Sequence, residues 1–142
     1  MPIANYTTQS SVDKTMGEVV GALTRRGVTR ISTVFDEQGE PAGLEFTMRT
    51  EYGPRDFALP IRTEGVLATL KRDKVQPRYA TPAHAARVAW AIARDWLRAQ
   101  SAVIDAGLVT LDEVMFPWMI GGGRAPQTAF DAYRAQQKAI ES

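Results

Sequence analysis

After a polar opening, the chain sets Val12, Met16, Val19, Val20 and Leu23 at intervals of four, three, one and three, the spacing that lines one face of a helix. Ser10 and Ser11 precede this run as N-cap candidates and Gly27 marks its end. Arg25 and Arg26 then fall in the predicted last turn, where cations meet unpaired carbonyls. From Arg30 the period drops to two. Ile31, Thr33 and Phe35 alternate with Arg30, Ser32 and Val34; Leu44, Phe46 and Met48 alternate with Glu45, Thr47 and Arg49; Phe57, Leu59 and Ile61 form a third inward set. A polar turn over residues 36–41 and another at Tyr52-Gly53-Pro54 separate these strands, and Pro60 suits the third to a sheet edge. The pattern predicts an antiparallel meander with one apolar face and the first helix as its natural cover.

Beyond the strands the period returns to helical. Thr63 is the predicted cap of a short helix holding Val66, Leu67 and Leu70, which runs into the basic loop Lys71-Arg72-Asp73-Lys74 and stops before Pro77. Thr81 followed by Pro82 opens a long helix through about Ala106, carrying Val88, Trp90, Ile92, Trp96, Leu97, Val103 and Ile104. Gly107 is its predicted C-terminal cap. Thr110 and Glu113 then have capping-box spacing for a helix with Val114, Met115 and Met119. Pro117 and Gly121-Gly122-Gly123 break that pattern, and the segment from Pro126, with Phe130 and Tyr133 as its only large anchors, reads as a loosely held terminal helix. The expected fold class is α+β: a single domain over residues 1–120 and a glycine-hinged helical arm over residues 121–142.

Composition narrows the chemistry. A length of 142 residues fits one domain, and 44% hydrophobic with 23% charged residues is ordinary for a globular protein. The lack of cysteine excludes disulfides, thiolate zinc sites and a cysteine nucleophile. His84 is the one histidine, so a Ser/His/Asp triad has a single place to form; in the first turn of the long helix it reads as a surface residue with no identifiable catalytic partner. Asp105, Asp112 and Glu113 are candidate magnesium ligands, but the last two stand where a helix start favours carboxylates. Gly121-Gly122-Gly123-Arg124 lacks the Lys-Ser/Thr of a phosphate loop and reads as a hinge. No catalytic residue, metal or cofactor is expected, and the polar start and arginine-interrupted long helix imply a cytoplasmic protein with no membrane span.

Charge is the best functional lead. Residues 1–61 carry a net −2, residues 62–98 a net +5 and residues 99–142 a net −2. Lys71, Arg72, Lys74 and Arg78 stand together, and Arg87, Arg94 and Arg98 follow at offsets of seven and four on one side of the long helix. Such arginines offer forked donors to phosphate oxygens, and Tyr79, Trp90 and Trp96 are candidate stacking surfaces for bases. The outward sheet positions Arg30, Glu45, Thr47 and Arg49 form a second candidate surface. Gly17 and Gly21, one turn apart in the first helix, have two readings: close approach to the sheet, or a seat for a helix of a second subunit in a homodimer. The run Met115, Phe116, Trp118 and Met119 is a candidate interface for a partner protein. Two functions follow: a non-catalytic nucleic-acid-binding accessory protein, or a protein-interaction module.

In the order of its elements the chain is similar to the double-stranded-RNA-binding domain and to the core of single-strand annealing proteins, although Thr81-Pro82-Ala83-His84 stands where the former has its lysine cluster. Over residues 1–120 it more closely resembles small uncharacterised proteins encoded by bacteriophages and prophages. That resemblance rests on Asn5-Tyr6-Thr7-Thr8, on Leu59-Pro60-Ile61 running into Glu64-Gly65-Val66, and on Arg87-Val88-Ala89-Trp90 followed by Asp95-Trp96 and Gln100. It implies a phage origin, with DNA handling or interference with host defence as the functions to expect.

Overall fold

The structure, a computed structural model, describes residues 1–121 and 127–141. Ser11 opens α1 (Val12–Thr24): its backbone is extended and its hydroxyl accepts the Lys14 amide, satisfying a donor that the helix start leaves unpaired. Arg25 is the C-cap and Arg26 lies beyond it, so the helix ends before the two arginines placed in its last turn. Gly27, at φ +87°, then turns the chain into the sheet.

Strands β1 (Val28–Phe35), β2 (Pro41–Thr50) and β3 (Gly53–Pro60) form the expected antiparallel meander in the order β1-β2-β3. Two irregularities in the β1–β2 ladder correct the alternation. The register shifts between Val28 and Arg30, which brings both Val28 and Ile31 to the inner face, and again between Val34 and Phe35, which leaves Phe35 59% exposed instead of inward. The other two strands follow their pattern. Leu44, Phe46, Met48, Phe57, Leu59 and Ile61 are buried, and Phe46 stacks on Phe57 directly across the ladder with ring centroids 5.3 Å apart.

The helices α2 (Thr63–Arg72), α3 (Pro82–Asp105), α4 (Leu111–Met115) and α5 (Ala129–Glu141) follow the sheet. Arg62, not Thr63, is the N-cap of α2, because the Ile61 amide still donates to the Ala42 carbonyl and holds the chain in line with the sheet. Thr81 caps α3 as predicted, with Pro82 in the first turn. Its far end closes with Gly107 at φ +77°, the Gly107 amide donating to Ile104 and the Leu108 amide to Val103. Thr110 and Glu113 form the full reciprocal capping box of α4. Pro117 then shortens that helix, and Phe116–Trp118 continues as a 3₁₀ turn.

α3 lies against both α1 and α2. Its buried Ala85, Ala86, Ala89 and Ala91 let neighbouring backbones approach, while Trp90 fills the space over the sheet and donates its indole N–H to the Pro41 carbonyl at 3.2 Å. α1 is therefore not the sole cover: Val19 and Leu23 share the core with Trp90 and Leu97 of α3 and with Leu111 and Met115 of α4. Past α4 the Ile120 amide donates to the Asp56 carbonyl, and Met119 bridges Phe57, so the outer edge of β3 is paired. The opposite face of the sheet keeps Arg30, Ser32, Glu45 and Arg49 exposed, and α3 does not cover it. The root of α5 is tied to this region by the Ile120–Thr128 bridge, yet Phe130, Tyr133 and Ile140 are exposed. Gly122, Gly123, Arg124 and Pro126 of the expected hinge lie outside the described residues. No described helix is long and apolar enough to cross a membrane.

Two glycines set opposite expectations. A Cβ at Gly43 would stand 2.8 Å from the Leu59 carbonyl oxygen, whereas one at Gly17 would meet nothing within 4 Å. Gly43→Ala should therefore destabilise the fold by about 1–3 kcal/mol through overpacking. Gly17→Ala should stabilise it by up to about 1 kcal/mol through helix propensity. Urea unfolding of both variants checks this, and equal signs would contradict the assignment of the two environments.

Candidate anion-binding surface

The basic residues singled out by the sequence divide into two groups. Lys71 and Arg72 end α2, Lys74 follows in a left-handed turn at φ +55°, Arg78 lies in the 3₁₀ turn Pro77–Tyr79, and Arg87 sits on the first turns of α3. All five side chains are exposed. Arg72 stands 3.7 Å from the Asp73 carboxylate, and Arg78 lies over the Tyr79 ring at 4.7 Å; among the described residues Lys71, Lys74 and Arg87 take part in no ion pair.

Arg94 and Arg98 belong elsewhere. The side of α3 that carries them is where α1 packs, so it is not a solvated stripe. Glu18 of α1 reaches both guanidinium groups, at 3.9 Å from Arg94 and 2.5 Å from Arg98, and Arg94 also donates from Nε to Asp95 at 3.0 Å. The expected row of three free arginines is thus reduced to Arg87. Arg94 is the more enclosed, its side chain 15% exposed against 62% for Arg98. Between α1 and α3 these groups line a cleft of about 210 Å³ together with Gly17, Gly21 and Arg25. Gly17 and Gly21 consequently do not bring α1 close to the sheet. A wider hollow of about 460 Å³ lies beside the α3–α4 turn, lined among others by Arg25, Arg26, Thr110 and Glu113.

The N-terminal segment is a strap over the seam of α2 and α3. The Ile3 amide donates to the Asp73 carboxylate, Asn5 donates its side-chain N–H to Asp95 at 2.8 Å, and the Tyr6 carbonyl accepts from His84 Nε2. His84 is 4% exposed, with its ring 5.1 Å from Tyr79. It is a buried, hydrogen-bonded residue and not the surface residue that its place in the first turn suggests; the strap that buries it comes from 78 residues earlier in the chain. The aromatic platforms are likewise occupied. Trp90 is core, Trp96 packs edge-on against Trp118 at 5.6 Å, and Tyr79 is held between Tyr6 and His84.

The other candidates resolve by their contacts. Asp105 pairs with Arg26 at 2.9 Å and Glu113 is engaged in its cap, so the proposed magnesium ligands do not converge, and among the described residues no group of three or more ligating side chains is placed to hold a metal. Of the candidate interface, Met115 is fully buried in the core, Trp118 and Met119 are half-buried against Trp96 and Phe57, and Phe116 alone is exposed. Nothing in the sequence marks Glu18 as the partner of Arg94 and Arg98, or Asn5 as that of Asp95. Nothing along one chain announces which helices will lie side by side.

Asp95 is held below the usual carboxylate range, chiefly by the hydrogen bond from Asn5, against partial desolvation and with help from Arg94 and Arg98. A depressed carboxylate stabilises the fold at pH values above its unfolded pKa, and that contribution is lost as pH falls through the folded pKa. Asn5→Ala should move the Asp95 titration upward in carboxyl NMR and bring acid unfolding to a higher pH. A midpoint unmoved by the substitution would show that the strap does not hold Asp95.

Comparison with protein-family models, with curated proteins and with solved structures found no match.

Proposed function

We propose that this chain is a non-catalytic binder of the nucleic-acid backbone, gripping phosphates through Lys71, Arg72, Lys74, Arg78 and Arg87. The observation that supports it is an excess of exposed positive charge. Residues 62–87 carry six cations against two carboxylates, all six cations are exposed, and Asp73 divides its oxygens between the Ile3 amide and Arg72. With a net charge of only +1 over the whole chain, attraction to a polyanion is concentrated at this end and orients the protein on it. Recognition there is of phosphate spacing, because the tryptophans are engaged in packing and offer no base platform. A phage or prophage origin and a cytoplasmic location belong to the same proposal.

Fluorescence anisotropy with single- and double-stranded oligonucleotides tests it. Binding should appear at low salt, and Lys74→Glu with Arg87→Glu should weaken it for all sequences alike. Each phosphate contact removed should lower the slope of log K against log salt by about 1. Absence of binding at low salt removes the proposal.

The exposed apolar side of α5 favours a second reading. Phe130, Tyr133 and Ile140, with Phe116 of the adjoining 3₁₀ turn, lie open to solvent, as suits an interaction module that docks on a host enzyme. Changing Phe130, Tyr133 and Ile140 together to Ala should leave thermal unfolding of the domain within a few degrees of the parent. The same variant should lose binding to a purified partner, and binding retained by a folded variant rules this reading out.

A further inference from the structure

We propose that the cleft between α1 and α3 is a separate binding site for a tetrahedral oxyanion, phosphate or a phosphomonoester, held by Arg25, Arg94 and Arg98. The cleft of about 210 Å³ is lined by three guanidinium groups and one carboxylate, Glu18. Glu18 is shared between Arg94 and Arg98, Arg94 is also paired with Asp95, and Arg25 has no carboxylate partner among the described residues, which leaves three cations against two carboxylates. The cleft therefore keeps a positive excess in a partly enclosed setting, where charge interactions are stronger than in open water. Glu18 marks where an anion sits: it accepts from Arg98 Nη2 and stands 3.9 Å from Arg94 Nη1, while Arg94 Nε is taken by Asp95, so a guest oxyanion would meet the remaining guanidinium donors of Arg94 and Arg98 together with Arg25.

The glycines give an independent reason to regard the space as kept open. Each costs about 1 kcal/mol relative to alanine inside a helix. Neither is required by internal packing, since a Cβ at Gly17 would meet nothing within 4 Å and one at Gly21 only an Arg25 side-chain nitrogen at 3.8 Å. Both glycines line the cleft. The other occupant suggested by two glycines one turn apart, a helix from a second copy, is disfavoured by charge: a two-fold contact would set Arg25, Arg94 and Arg98 of one subunit against the same residues of the other. The site shares no residue with the cluster at Lys71, Arg72, Lys74, Arg78 and Arg87, so it stands whether or not that cluster binds nucleic acid.

Amide NMR titration of the full chain with sodium phosphate, at ionic strength held constant with chloride, tests it. Saturable shifts are expected over residues 17–25 and 94–98. Arg25→Ala should weaken phosphate binding about tenfold or more, the loss expected for one charge-assisted hydrogen bond, with the melting temperature unchanged. Glu18→Gln, which removes the competing carboxylate, should tighten it severalfold. A purely structural Glu18 would instead lower the melting temperature and leave phosphate affinity unaltered, which overturns the proposal. Shifts that do not saturate, or a concentration-dependent dimer that buries α1, overturn it as well. Ribose 5-phosphate alongside phosphate distinguishes the source: equal or tighter binding assigns the site to a phosphomonoester, and binding of phosphate alone assigns it to the free ion, either result supporting an oxyanion site. The double variant Lys74→Glu with Arg87→Glu should keep this response, so its loss of oligonucleotide binding would not be mistaken for loss of the cleft.

Discussion

A three-stranded sheet with one apolar face cannot stand alone in water, and burying that face under α3 is the constraint on which everything else rests. Trp90 is where the two layers meet: it is fully buried and its indole N–H is satisfied by the Pro41 carbonyl at the start of β2. The hydrogen bond fixes the position of α3 along the sheet as well as its distance from it, because an indole displaced along the strand would leave a polar group buried without a partner. Among the described residues no buried side-chain nitrogen or oxygen lacks a partner, so the interior tolerates little sliding.

Once α3 is placed, the distribution of charge follows. α1 packs along the side of α3 that carries Arg94 and Arg98, and Glu18 meets both. The strap of residues 3–6 crosses from Asp73 to His84 and Asp95, engaging the carboxylates beside the basic end without covering its cations. The partly exposed ion pairs that Glu18 makes contribute modest stability each. Their larger effect is to determine which cations stay available to a partner. Packing divides one sequence-contiguous basic region into an open end around α2 and a partly neutralised cleft beside α1, two surfaces of different chemistry.

Those surfaces suit different ligands. On the proposals made for them, the scattered exposed cations of the open end would meet an extended polyanion and the arginines gathered around Glu18 in the cleft one compact anion. The α5 helix adds an apolar face at a third location, attached through the Ile120–Thr128 bridge next to the Met119–Phe57 bridge that pairs the edge of β3.

The sequence by itself determined the elements and their chemistry. Its periods of two and of three to four placed the strands and helices, and Ser11, Thr81, Gly107 and the Thr110–Glu113 box marked ends correctly, because caps are local hydrogen bonds between neighbours in the chain. Only the tertiary structure decided which of those residues are free. Phe35 came out of the core because a register shift is a property of two strands together. His84 went in, and Met115 with it, because burial depends on the segments that arrive from elsewhere. Arg94 and Arg98 acquired Glu18, 76 and 80 positions away, for the same reason: the pairing of distant helices is set by how whole faces fit, and no local pattern in one chain encodes it.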